Sequence, residues 1–296
     1  LADRLGRKQM FLATLIVYLI ATVATAFSWD ILTFAVCRFF TGFGITLANV
    51  SLFVFQSFIT GATDAGIPYW VVGSFMLGAV CSIATVLVSV ISTPEIPPSP
   101  EELAALRAKK GGFGAAIAEI WEAIVEMPGE LRKLALVYLF QWYAMVCYWQ
   151  YVSLSIAQSA FGVGPDDPGY ANAVSWTGLI NGWYNIVTFL VAFPLVALAK
   201  KRGAKLVHIS CLLCAAVGLL IFAQVTNKYL MFLPITGLGI AWASIMGVPY
   251  IMAVRMIPSS RYGVYMGIIN MMIVIPMLIQ TLTFGAIYEH LLGENP

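Results

Sequence analysis

Charge is what this sequence has least of. Asp, Glu, Lys and Arg make up 10% of its 296 residues, against roughly 25% in ordinary soluble domains. Two histidines are present, and no Asp or Glu falls inside a long apolar stretch, so no carboxylate stands there as a proton carrier. The five cysteines are an odd number. Cys37, Cys81, Cys147, Cys211 and Cys214 all lie in apolar runs and read as small packed side chains, not as a disulfide framework. His-Glu-x-x-His, Gly-x-Ser-x-Gly and Walker sequences are missing, and with them the motifs of common hydrolases and nucleotide-binding proteins. Without paired polar catalysts an enzyme is not expected. His208, Cys211 and Cys214 form a stripe at three-residue spacing. Zinc takes four ligands and no second cluster exists, so no metal is expected.

What is there is apolar. Hydrophobic residues make up 60% of the chain and the mean hydropathy is +0.88. A water-soluble fold could not hide that much apolar surface, whereas a bilayer core is itself apolar. A helix needs about 20 apolar residues to cross it. Eight stretches qualify: Gln9–Phe27, Ile31–Phe58, Ile67–Ile91, Leu134–Ser155, Ala173–Leu198, Leu206–Val225, Tyr229–Ala253 and Val264–Tyr288. They are too long and too evenly apolar for barrel strands, and backbone groups in hydrocarbon must pair within the segment. The expected class is an all-α membrane protein. The basic start opens a full-length span with no cleavage site, so no signal peptide is expected. The first residue, Leu1, suggests a truncated chain.

Of the sixteen Lys and Arg residues, fourteen fall in four short stretches: Arg4, Arg7 and Lys8; Arg107, Lys109, Lys110, Arg132 and Lys133; Lys200, Lys201, Arg202 and Lys205; Arg255 and Arg261. Alternate loops carry almost none. Basic loops stay on the cytoplasmic side, which places 92–133, 199–205 and 255–261 there and accounts for the basic residues without nucleic acid. The long loop Ser92–Lys133 divides a partial N-terminal half (1–91) from a C-terminal half (134–296). Within it Ile117, Ile120, Trp121 and Ile124 share one helical face, and Glu119, Glu122 and Glu126 lie on the other. Such a helix lies on the membrane surface or packs beneath the bundle; the pattern fits both. Three spans precede this loop, an odd number, although Arg4–Lys8 and the loop both belong inside. A span is therefore expected to be missing from the first half.

Two segments recur. Leu1–Lys8 (LADRLGRK) resembles Leu198–Lys205 (LAKKRGAK), and Thr41–Ile45 (TGFGI) resembles Thr236–Ile240 (TGLGI), at offsets of 197 and 195. A repeat of this kind suits a transporter whose two similar halves enclose a midplane site.

LADRLGRK, with Arg38, Gly42 and Gly44 in a following span, resembles the major facilitator superfamily. From Ile67 onward the likeness narrows to the sucrose/proton symporter-like and glycoside–cation symporter branch. It is carried by Met127-Pro128, QWYAMVCYWQY (Gln141–Tyr151), Trp176, Tyr184-Asn185, GIAWASIMGVPY (Gly239–Tyr250) and RYGVYMGIIN (Arg261–Asn270). The resemblance implies a facilitator-type helical bundle with about eight of twelve parental helices. The first two helices, the last and one from the first half are absent. Pro276 is followed by Met277 where the branch usually has Gln. The implied activity is symport of a sugar, a glycoside or disaccharide, with a proton or Na+ as coupling ion, in the cell inner (plasma) membrane and without an organic cofactor. Asp3, Arg4, Gly6 and Arg7 of the loop motif, with Arg38, Gly42 and Gly44, are implied in conformational change. A carrier for another small metabolite and a non-transporting membrane fragment are the competing readings.

Polar and aromatic residues inside apolar spans are the strongest local signal. Gln141, Trp142, Tyr148 and Trp149 fall within an arc of about 120° on the fourth span at roughly 100° per residue. Asn181, Tyr184 and Asn185 share a side of the fifth; Trp242, Ser244 and Tyr250 lie on the seventh and Asn270 on the eighth. Amides match hydroxyls and aromatic planes cover sugar C–H faces, though such residues also tie helices together or anchor span ends. Arg38 is the one charge deep in a span, with a functional role or a snorkelling one. Gly237, Gly239, Pro249, Gly267 and Pro276 are candidate hinges, or simply packing sites.

Overall fold

The computed structural model describes residues 46–64, 66–92, 113–258 and 261–293. These form helices with no named strand among them. They are α1 (Thr46–Gln56), α2 (Tyr69–Ser92), α3 (Phe113–Val125), α4 (Gly129–Ile156), α5 (Tyr170–Arg202), α6 (Ala204–Phe222), α7 (Phe232–Met256) and α8 (Tyr262–His290). Six of the eight expected spans correspond to α2 and α4–α8, with ends shifted by a few residues. Gln9–Phe27 lies outside the described residues, as does most of Ile31–Phe58. Four helices are long and apolar enough to cross a membrane: Tyr170–Arg202, Ala204–Phe222, Phe232–Met256 and Gly263–His290. In α4 the same length is diluted by Gln141, Trp142, Tyr143, Tyr148, Trp149, Gln150 and Tyr151.

The outward side chains suit a bilayer. Leu220 is 72% exposed, Leu233 81% and Leu282 74%, an arrangement that soluble surfaces avoid in contiguous patches. Hydroxyls within the helices bond back to their own backbone, as Thr236 Oγ1 does to the Phe232 carbonyl (2.8 Å) and Thr281 Oγ1 to that of Met277 (2.9 Å). Such bonds satisfy a hydroxyl within its own helix, as a segment in hydrocarbon requires.

The chain forms two compact units. The described residues up to Ser92 group with Gly178–Phe189, the middle of α5, and the remainder forms the second unit. In the first unit a Cβ at Gly178 would lie 2.6 Å from the Asn49 carbonyl oxygen, and one at Gly182 2.6 Å from Val50 Cγ2. Glycine is what lets α5 and α1 touch there.

In the second unit α6 and α7 are antiparallel and meet backbone to backbone at Gly218 and Gly237, whose added Cβ atoms would fall on the carbonyls of Pro234 and Cys214. α4 meets α8 through Tyr143 and Thr283 (3.1 Å) and the rings of Tyr151, Phe284 and Tyr288. α4 continues into a π-turn, Ala157–Phe161, that ends at Gly162 (φ 64°). Lys228, outside the basic loops, sits over the rings of Phe161, Trp176 and Tyr229 at 5.2, 4.9 and 5.3 Å, a cation–π arrangement. Trp176 Nε1 also donates to its carbonyl (3.3 Å).

α3 is tied to the start of α8 through two carboxylates. Arg261, just before α8, donates to Glu122 Oε1 at 2.9 Å and Glu126 Oε2 at 2.7 Å, and these bonds, Glu122 first, hold its guanidinium further above its ordinary value. The Lys133 hydrogen bond similarly holds the Glu130 carboxyl below its usual range. Replacing Arg261 with Ala is expected to release α3. Amide hydrogen exchange over 113–125 should then rise while α6 and α7 stay protected; unchanged exchange in α3 would remove the clamp.

Candidate functional site

α4 carries the chemistry because two of its faces are occupied by different neighbours. Toward α8, Gln280 is fully buried and its Nε2 donates to Gln150 Oε1 at 3.0 Å and to Cys147 Sγ at 3.5 Å. This is an interhelical polar tie. Neither Gln150 nor Gln280 was among the expected site residues, although the rule that selected Gln141, an amide in an apolar span, applies equally to both.

Toward α7, three indoles come together. Trp142 and Trp242 are 5.9 Å apart by ring centroid, Trp149 and Trp242 5.5 Å, and Trp142 and Trp149 6.4 Å, all edge to face. Tyr138 extends the row at 6.4 Å from Trp142. Edge-to-face pairs add stability beyond their burial and leave other ring faces free. Trp142 is buried, Trp242 half-buried, and Trp149 is 38% exposed, so the cluster has one accessible rim.

Beside it the Gln141 side chain is buried, and neither its Oε1 nor its Nε2 has a hydrogen-bond partner among the described residues; the Trp142 indole N–H has none either. Such atoms cost on the order of 1–3 kcal/mol each when left unpaired. Two donor groups and one acceptor group are thus buried without a partner on the stretch of α4 that carries the indoles.

The other expected residues are distributed differently. Ser244 does not join Trp242. The two are two residues apart on a helix and so point to nearly opposite sides. Ser244 is fully buried and lies 2.8 Å from His208 Nδ1 on α6. Tyr148 and Tyr250 are half-buried and Asn270 is exposed. Asn181, Tyr184 and Asn185 belong to the first unit, where Tyr184 and Asn185 are buried and Asn185 Nδ2 donates to the Asn181 carbonyl at 2.7 Å.

Of the candidate hinges, Gly237 serves the close α6–α7 contact. A Cβ at Gly267 would meet nothing within 4 Å. Pro249 and Pro276 are buried inside α7 and α8. Pro194, inside α5, is a further helix interruption that the sequence reading did not single out. Asp3, Arg4, Gly6, Arg7, Arg38, Gly42 and Gly44, and with them the first copy of each repeat, lie outside the described residues. Among the described residues no group of three or more His, Cys, Asp or Glu side chains is placed to hold a metal ion, and His208 is engaged by Ser244.

No family model matches this chain, and neither does any curated protein or solved structure.

Proposed function

We propose that this chain is part of a secondary transporter of the facilitator type, carrying a sugar by alternating access with a proton or Na+ as coupling ion. The observation that supports it best is the indole cluster of Trp142, Trp149 and Trp242 beside the unpartnered Gln141 amide. A sugar is apolar on its ring faces and hydroxylated at its edges. Indole planes take the first and an amide takes the second. Four helices are long and apolar enough to cross a membrane, which suits a transporter, and the loop and helix motifs resemble the sucrose and glycoside symporter branch. The eight-span arrangement, with basic loops inside the cell, belongs to the same proposal.

Uptake of radiolabelled disaccharide into proteoliposomes tests it, with and without an inward proton or Na+ gradient. Saturable uptake above protein-free vesicles, raised by one gradient, is expected. Uptake equal to the control for a panel of disaccharides and glycosides overturns the sugar reading. Gradient-driven uptake of a different metabolite class would replace it with a carrier of another specificity.

A further inference from the structure

α3 docks through Ala123, with Ile120 and Ile124 half-buried beside it, and leaves a second apolar row outward. Ala123 is fully buried, Glu122 and Glu126 are bound by Arg261, and Arg132 Nη2 donates to the Val125 carbonyl at 2.7 Å. The apolar row at four-residue spacing faces away from the protein: Ile117 is 51% exposed, Trp121 68% and Val125 57%. A surface helix in water keeps its large apolar side chains against the core, and three of them in a row outward call for an apolar surround.

We propose that α3 lies in the boundary between headgroups and acyl chains of the bilayer that its neighbouring helices cross, with Ile117, Trp121 and Val125 seated in lipid.

Three observations favour lipid over another occupant. The first is level. Only Glu126, Met127 and Pro128 separate α3 from α4, and its other tie is Arg261, the residue before α8, a helix long and apolar enough to span. Both attachments hold α3 where membrane helices begin. The second is sequence continuity: Leu136 and Phe140, one and two turns after Arg132, which bonds the end of α3, are 58% and 69% exposed, so α4 also presents apolar side chains outward. The third is chemistry. Tryptophan with aliphatic neighbours on one face and carboxylates on another is the pattern of an interfacial helix. Exposed Arg132 and Lys133 stand at the same level, and cations there are attracted to anionic headgroups. Lys133 shares its charge with Glu130 at 2.8 Å.

This geometry gives the sides of α3 different surroundings: protein at Ala123, the Arg261 guanidinium and water at the part-exposed Glu122 and Glu126, lipid at Trp121. It does not depend on what, if anything, the chain transports.

Single cysteines test it. In a background with Cys37, Cys81, Cys147, Cys211 and Cys214 replaced by Ala, the variants Ile117→Cys, Trp121→Cys, Val125→Cys and, in an exposed loop, Asp166→Cys are spin-labelled. Each is reconstituted into vesicles of phosphatidylcholine with phosphatidylglycerol. Collision with oxygen, which concentrates in lipid, is compared with collision with a water-soluble nickel chelate. Oxygen should dominate at 117, 121 and 125, and nickel at 166. Nickel dominance at 117, 121 and 125 would place that face in water and overturn the proposal. Low collision with both reagents there would mean that protein covers it, with spin–spin broadening marking a second copy of the chain. Using three sites on one face keeps the outcome independent of any one variant that fails to fold.

Discussion

Gly237→Leu is expected to separate α6 from α7 and lower the melting temperature of the purified protein by several degrees or more. At this crossing both sides of the contact are backbone. A side chain at 237 would meet the Cys214 carbonyl, with its carbon 3.0 Å from the new Cβ and Gly218 Cα at 3.5 Å. A carbonyl in a helix cannot rotate aside, so the helices must move apart and lose the contacts between them. Overpacking a core typically costs about 1–3 kcal/mol, and the rigid neighbour puts this position at the upper end. Gly218→Leu should behave alike, because its Cβ would meet the Pro234 carbonyl. Gly247→Ala on the same helix is the contrast, since a Cβ there meets nothing within 4 Å. Alanine is better than glycine inside a helix by up to about 1 kcal/mol, so that variant should melt at or above the wild-type temperature. Thermal unfolding in detergent followed by far-ultraviolet circular dichroism reads all three. A Gly237→Leu variant that melts like the wild type would show that the two helices do not pack at this point.

The second large effect lies in the indole cluster. Trp242 touches both Trp142 and Trp149, so Trp242→Ala removes a binding plane and the support of two others. Sugar affinity should fall by about 1–3 kcal/mol, on the order of 5- to 150-fold, and Trp242→Phe should recover part of it. Trp149→Ala removes the exposed rim and should act in the same direction. Gln141→Leu separates binding from folding. The substitution removes a buried amide with no partner among the described residues, so the unliganded protein should be as stable as before or more so. If that amide meets a sugar hydroxyl, affinity falls at the same time. Isothermal titration with the sugar identified by uptake, run beside thermal unfolding, gives both readouts. Affinity unchanged in Trp242→Ala and Gln141→Leu would leave the cluster a packing element.

Much of this was legible in the chain because hydrocarbon is an undemanding solvent to read. A helix that spans it must be long and apolar and must satisfy its own backbone, and each requirement is local. Hence α5–α8 lie within a few residues of the expected spans. The alternation of isoleucine and glutamate in α3 was equally visible, since helical periodicity needs no partner.

What each face meets could not be read in this way. Trp242 and Ser244 looked like neighbours in one site, yet a helix turns them to opposite sides, and only the positions of α4 and α6 decide that one meets indoles and the other His208. Asn181 and Asn185 looked like companions of Gln141; the close glycine contact of α5 with α1 groups them with a different unit. The side of α3 that docks was likewise open until Arg261, more than a hundred residues later in the chain, took hold of its carboxylates. Composition and periodicity by themselves determined that the chain forms apolar helices and where they run, because bilayer burial and backbone pairing act along a single segment. The tertiary structure alone decided which polar groups are satisfied and which, like the Gln141 amide, are buried without a partner among the described residues, because a hydrogen bond between helices depends on distances that no segment contains.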